Sequence, residues 1–236
     1  MAKRFFIGLV LWLSASAASA QYNFYNVAVS VSGGPTRPYD DLTQYQYKHA
    51  FSAIASYFYT PYVEFTGEAQ FGQVAGGDNI ENRHRRQYAN SYKSFIFSAN
   101  LQLGEITDYE DSRFLYRMRG LYGGAGMGVI YNKMTFVQRV KPDGTNYVFP
   151  GKDQSMNFSM PFRLGYQFKI FDSYQEPRYL IDLGYTMHVT FGEGLDGYND
   201  SPSMFENFAP DMYSQVYISF KYAFGFTAAY RKPIRF

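Results

Sequence analysis

The chain has 236 residues, with 22 Lys and Arg against 20 Asp and Glu and no cysteine. Such a balance excludes a nucleic-acid partner, which needs a concentrated basic excess to meet phosphates. The missing cysteines exclude disulfides, thiol chemistry and a cysteine-borne lipid anchor.

Residues 1–20 read as a cleaved export signal. Lys3 and Arg4 precede an apolar run from Phe5 to Leu13, and Ala18-Ser19-Ala20 supplies a small-residue cleavage site before Gln21. The run is too short for the roughly 20 apolar residues of a spanning helix. Its removal takes Lys3, Arg4 and the only tryptophan, Trp12. The remainder is electrically neutral, and any aromatic belt must be built from Tyr and Phe.

Residues 21–226 read as one β-barrel domain and 227–236 as a short tail. Eight stretches alternate with the period of two that marks a strand between two different environments. In the first, 23–32, Tyr25, Val27, Val29 and Val31 oppose Asn26, Ala28, Ser30 and Ser32. The second, 49–59, leaves its faces open, because Ile54 and Phe58 share parity with Ser52 and Ser56. The third, 62–72, sets Val63, Phe65, Ala69 and Phe71 against Glu64, Thr66, Glu68 and Gln70. The fourth is 92–103. The fifth, 119–131, carries Gly120, Gly124, Gly126 and Gly128 on one face. The sixth alternates from Phe158 to Ile170, with Pro161 read as a bulge near the external rim. The seventh and eighth are 179–191 and 215–226.

The polar face is mainly Ser, Gly, Asn and Ala, which suits the crowded interior of an eight-stranded barrel. The large apolar face then meets lipid. Strands of this length match the roughly 9–11 residues that cross a bilayer at a tilt. Connections 33–48, 73–91, 132–156 and 192–214 are long and those at 60–61 and 171–178 short, as in barrels with external loops and periplasmic turns, although 104–118 blurs the contrast. The expectation is an all-β fold, an eight-stranded antiparallel transmembrane β-barrel. The turn signal Lys141-Pro142-Asp143-Gly144 marks a projecting hairpin, or a strand pair that would make ten.

Ser30 to Gly34, Tyr57-Phe58-Tyr59-Thr60-Pro61-Tyr62, residues 72–77, Leu121-Tyr122-Gly123-Gly124-Ala125-Gly126 and residues 162–165 resemble small outer-membrane barrel proteins of the Bacteroidota. The resemblance covers about 21–226. It implies the barrel architecture of the OmpA and OmpX membrane domains and a Gram-negative outer membrane, without implying an activity. The peptidoglycan-binding role of OmpA is not carried over.

Six charged residues have inward parity: Glu64 and Glu68, Arg163 and Lys169, Asp182, and Lys221. Counting along each strand puts Glu68, Arg163 and Lys221 near mid-height and Asp182 slightly lower. Charges at that depth need partners, so a salt-bridged network filling the lumen is expected, with a gated ion path as the alternative. Arg83, Arg85 and Arg86 on the second long loop are candidate phosphate contacts for lipopolysaccharide. The fourth loop is acidic, and Asp196, Asn199 and Asp200 lack calcium-loop spacing. Contact between these two loops is an electrostatic alternative. Of His49, His84 and His188, only His188 has inward parity near possible partners, Thr190 and Ser214, and no catalytic triad can be argued. No metal and no cofactor is expected.

The leading expectation is a non-enzymatic outer-membrane barrel acting in envelope integrity or surface contact. Its partners are outer-membrane lipid, lipopolysaccharide and, through a terminal aromatic at Phe236, Phe226 or Phe224, the outer-membrane assembly machinery. A narrow channel, a subunit of a secretion or uptake complex and a lipid A-modifying enzyme are the alternatives.

Overall fold

The computed structural model describes residues 22–40, 42, 44–78, 85–110, 112–142, 146–192, 194–199 and 211–234. The export-signal reading of 1–20 therefore lies outside the described residues, as do Arg83, His84, Asp143, Gly144, Asp200 and Phe236.

Eight long strands form the wall: β1 (Tyr22–Tyr39), β2 (Lys48–Thr60), β3 (Val63–Gly77), β4 (Gln87–Gln102), β5 (Leu121–Val137), β6 (Gln154–Phe171), β7 (Pro177–Phe191) and β8 (Met212–Tyr230). Each pairs antiparallel with its chain neighbour, and β1 pairs with β8, so the meander closes and leaves no open edge. A two-residue strand, Tyr45–Gln46, adds to β3 outside this ring. Two short helices, α1 (Leu103–Ile106) and α2 (Arg113–Met118), fill the link between β4 and β5.

The ladder fixes the stagger. From Gly33 one path through Phe51, Phe71 and Lys93 reaches Tyr131 on β5. The opposite path through Ile218, Leu183 and Tyr166 reaches Leu121, and 131 − 121 = 10 residues of shear. With eight strands about 4.8 Å apart and a rise of about 3.3 Å per residue, the tilt is roughly 40°.

The wall is inside out relative to a water-soluble sheet. Phe162, Leu164, Phe168 and Ile170 are exposed, whereas Arg163, Gln167 and Lys169 between them are buried. The same holds on β4, where Phe95, Phe97 and Leu101 face out and Ser94, Ser98, Asn100 and Gln102 face in. This is the polarity of a barrel that crosses lipid. It also resolves β2: Ser52, Ser56 and Phe58 are buried together and define its inner face.

Three sequence readings are corrected. The strands run past the expected loop boundaries. Gly33-Gly34-Pro35 continues the β1 ladder opposite Phe51, Ala50 and His49, and glycine is required at 34 because a side-chain carbon there would stand only 2.9 Å from the Val216 carbonyl carbon. Pro161 makes no bulge. The β5–β6 ladder pairs Ala125 with Phe162 and Gly128 with Ser159, so it merely skips Met160 and Pro161 and resumes in register. Proline lacks the N–H, and the interruption costs pairing without shifting the strand. Residues 227–230, assigned to the tail, end β8, where Tyr230 pairs with Tyr22. Among the described residues ten strands are not formed, since the third loop contributes a single bridge, Val140 to Val148.

Candidate functional site

The lumen is filled in layers from one mouth to the other. The floor, at the end of the barrel where Thr60 turns into Val63, is a cluster of Phe24, Tyr25, Phe58, Tyr62, Tyr109, Leu180, Tyr230 and Ile234. The link between β4 and β5 builds this floor, which explains its length. Tyr62 and Tyr109 share a hydroxyl hydrogen bond of 2.8 Å, and Tyr109 Oη donates to Pro233 O at 2.8 Å. Lys232 Nζ donates to Thr107 O at 2.8 Å, so the chain beyond β8 straps the link beneath the barrel. Burial and the facing Tyr62 hydroxyl raise the Tyr109 phenol above its ordinary pKa, keeping it a neutral donor.

Above the floor, Lys169 is held by neutral groups. Its Nζ donates to Gln102 Oε1 at 2.8 Å and stands 4.1 Å over the Tyr62 ring. Gln102 donates in turn to Gln167 Oε1 at 2.8 Å. The next layer is a buried triad in which Lys221 pairs with Glu64 and, at 3.2 Å, with Asp182. Four residues further up β3, roughly 10 Å along the axis at this tilt, Arg163 pairs with Glu68. Lys221 thus belongs with Asp182 in the lower layer, not with Arg163. Counting along single strands misplaced it because the shear staggers every strand against the next. The six charges split three against three.

Glycines make room for this filling. Tyr122 and Tyr217 cross the lumen and share a hydroxyl hydrogen bond. A side-chain carbon at Gly184 would lie 2.6 Å from Tyr217 Oη, and one at Gly165 would lie 2.6 Å from Tyr122 Oη. A central cavity between Glu68, Asn100, Arg163, Asp182 and Lys221 is about 20 Å³, room for about one water molecule.

The upper layer is uncharged. Gln70 donates to Gln215 Oε1 at 2.8 Å and accepts from the hydroxyls of Tyr92 (3.1 Å) and Tyr213 (3.0 Å). His188 stacks flat on Tyr213, with ring centroids 4.3 Å apart. Neither of its nitrogens has a hydrogen-bond partner among the described residues. Thr190 Oγ1 is committed to Asp211 O at 2.6 Å. Ser214 is buried but has the opposite parity to the inward Tyr213 and Gln215, and it interacts with Tyr39 and Tyr185 instead. The residues that a His188-centred hydrolase would need are not brought together.

At the opposite mouth, residues 194–199 of the fourth loop turn inward. Leu195 and Tyr198 are buried against Val74, Tyr88, Ile130 and Phe149. Asn90 donates to Leu195 O at 2.9 Å, Arg139 to Gly197 O at 2.6 Å, and Tyr198 Oη to Gln138 O at 3.0 Å. The Asp211 carboxylate accepts from the amides of Gly194 (3.3 Å) and Leu195 (3.0 Å). Burial, and then the neighbouring Asp211 and Asp40, push the Asp196 carboxyl well above the usual carboxylate range. Among the described residues no group of three or more acids or histidines is placed to hold a metal.

The candidate loop arginines are separated. Arg85 is exposed and donates to Pro142 O at 2.8 Å. Arg86 is buried, 5.4 Å over the Tyr198 ring and 5.8 Å over Phe149, so it packs among the loop aromatics and is not at the surface. Arg83 lies outside the described residues. The second and fourth loops do meet, through Arg86 and Tyr198. Sequence reasoning missed the roles of Tyr62, Tyr109, Tyr198 and Ile234. Aromatic residues in links carry no periodic signal, and only the fold shows that they turn into the lumen.

No family model and no curated protein matches the sequence. Solved structures do. Neisserial surface protein A is 10% identical over 84% of this chain and 97% of its own, with a TM-score of 0.43. Ail, the attachment invasion locus protein of Yersinia pestis, is 12% identical over 84% and 99%, at 0.39. The N-terminal β-barrel domain of Pseudomonas aeruginosa OprF is 11% identical over 83% and 97%, at 0.37. The architecture rests on the chain's own ladder, and these distant likenesses add nothing to it.

Proposed function

We propose that this protein is an outer-membrane barrel without enzymatic activity, whose lumen is a structural plug and whose work is done by its wall and external loops, in envelope integrity or surface contact. The observation that carries the reading is the stacked filling of the described lumen: aromatic floor, two charge layers, glutamine–tyrosine layer and the inward-turned loop residues follow one another along the barrel. An outer-membrane address is supported by the lipid-facing apolar wall, because a span of strands rather than helices needs closure of this kind.

Purified protein in a planar bilayer tests the plug. Electrical silence is expected, with at most rare brief openings. Stable unitary currents lost on substitution of Arg163 or Lys221 would establish the narrow channel instead. Membrane fractionation tests the address, and recovery with the inner membrane or the soluble fraction would refute it.

A further inference from the structure

The strands carry their outward-facing charges asymmetrically. The acids of the strands, Glu64, Glu68 and Asp182, all point inward. Three bases alternate with buried residues and so face outward: Arg37 on β1, Lys93 on β4 and Lys133 on β5. All three lie on the external half of the wall. None makes an ion pair among the described residues. At the periplasmic rim the contrast is direct, since Arg178 is neutralised by Asp172 at 3.0 Å.

Lys93 and Lys133 are diagonal neighbours. Lys93 pairs with Tyr131 and Lys133 with Ser91 across the β4–β5 ladder. Their positions differ by roughly 8 Å along the barrel axis at this tilt and stagger. Between them Tyr131 donates to Gln154 Oε1 at 2.9 Å, and below them Phe71, Phe95 and Val129 form an exposed apolar strip. An apolar strip ending in two stacked cationic levels, with a phenol and an amide between, fits one class of occupant: a lipid whose acyl chains lie on the strip and whose headgroup carries phosphate at more than one height. A glycerophospholipid has a single phosphate level. We propose that the outer wall of β3–β6 binds a phosphorylated saccharide lipid of the external leaflet, with Lys93 and Lys133 on its phosphates and Tyr131 and Gln154 on its sugar hydroxyls. The assignment rests on the outer-membrane reading above and moves the glycolipid contact from the loop arginines to the wall.

The test titrates full-length barrel in a neutral, saccharide-free detergent with bisphosphorylated lipid A, its dephosphorylated counterpart or phosphatidylglycerol, bound lipid being counted by native mass spectrometry. Wild type is expected to retain bisphosphorylated lipid A and to bind the other two about tenfold or more weakly, as two lost surface cation contacts imply. Lys93→Gln/Lys133→Gln is expected to lose that preference, and Lys93→Arg/Lys133→Arg to keep it. Equal binding by wild type and the Gln variant, or equal binding of phosphorylated and dephosphorylated lipid, overturns the site. Phosphatidylglycerol binding as tightly as lipid A overturns the saccharide assignment. Should the Gln pair fail to fold by circular dichroism, Lys133→Gln alone decides on the same readout. Fractionation answers the address separately, so the two failures are distinguishable.

Discussion

Replacing Lys221 by Met removes the one cation of the lower layer and leaves Glu64 and Asp182 buried beside each other. Both carboxylates are almost wholly enclosed, with side-chain exposures of 4% and 8%. The cost of breaking a buried pair by removing one partner is about 3–5 kcal/mol, because the desolvation of the survivor is no longer offset. At a guanidinium slope of roughly 4 kcal/mol per molar, the midpoint falls by about 1 M. The triple variant Glu64→Gln/Asp182→Asn/Lys221→Met removes the charges together and should return to within about 1 kcal/mol of wild type. Equilibrium unfolding in micelles, followed by loss of strand circular dichroism, reads both. A single variant within about 1 kcal/mol of wild type, or a triple variant as unstable as the single, refutes the claim that the layer is a compensated buried network.

Three further outcomes are expected. The Asp196 carboxyl holds its proton more tightly folded than unfolded, because of burial and the facing Asp211 and Asp40, while Arg86 and the Tyr198 amide oppose this. A raised folded-state pKa contributes stability at low pH that is lost as pH rises above the unfolded value near 4. Amide protection at Leu195 and Tyr198, corrected for intrinsic exchange, should therefore fall as pH rises above about 4 in wild type and flatten in Asp196→Asn; protection that rises with pH would contradict the assignment. Ile234→Ala should cost about 2–4 kcal/mol, since the side chain is almost completely buried in the floor, and an unchanged unfolding midpoint would mean the strap is dispensable. Gly184→Ala should destabilise by about 1–3 kcal/mol by driving its new methyl into Tyr217, and Tyr217→Leu should suppress the effect in the double variant.

The alternation of Phe158 to Ile170 determined its strand, its faces and even its topological class, because a period-2 pattern leaves a side chain only two environments. Small polar residues against large apolar ones then identify which environment is lipid. The inward parity of Glu64, Glu68, Arg163, Asp182 and Lys221 was legible for the same reason. Which charge meets which was not. Glu64 finds Lys221 across 157 positions, and Glu68 finds Arg163 across 95, through a ten-residue stagger that no single strand encodes. Parity is a local property of the backbone, whereas height in the lumen is set by ring closure. The mouths show the same division. The links at 103–120 and 192–211 have no periodicity to read, and their Tyr62–Tyr109 and Leu195–Tyr198 contacts exist only because the closed wall brings its floor and rim within reach. The sequence by itself determined a lipid-facing barrel with a charged interior. Tertiary closure decided which charges pair and at what height, and brought the links into contact with the lumen at both ends, since these depend on distances between strands rather than on order along them.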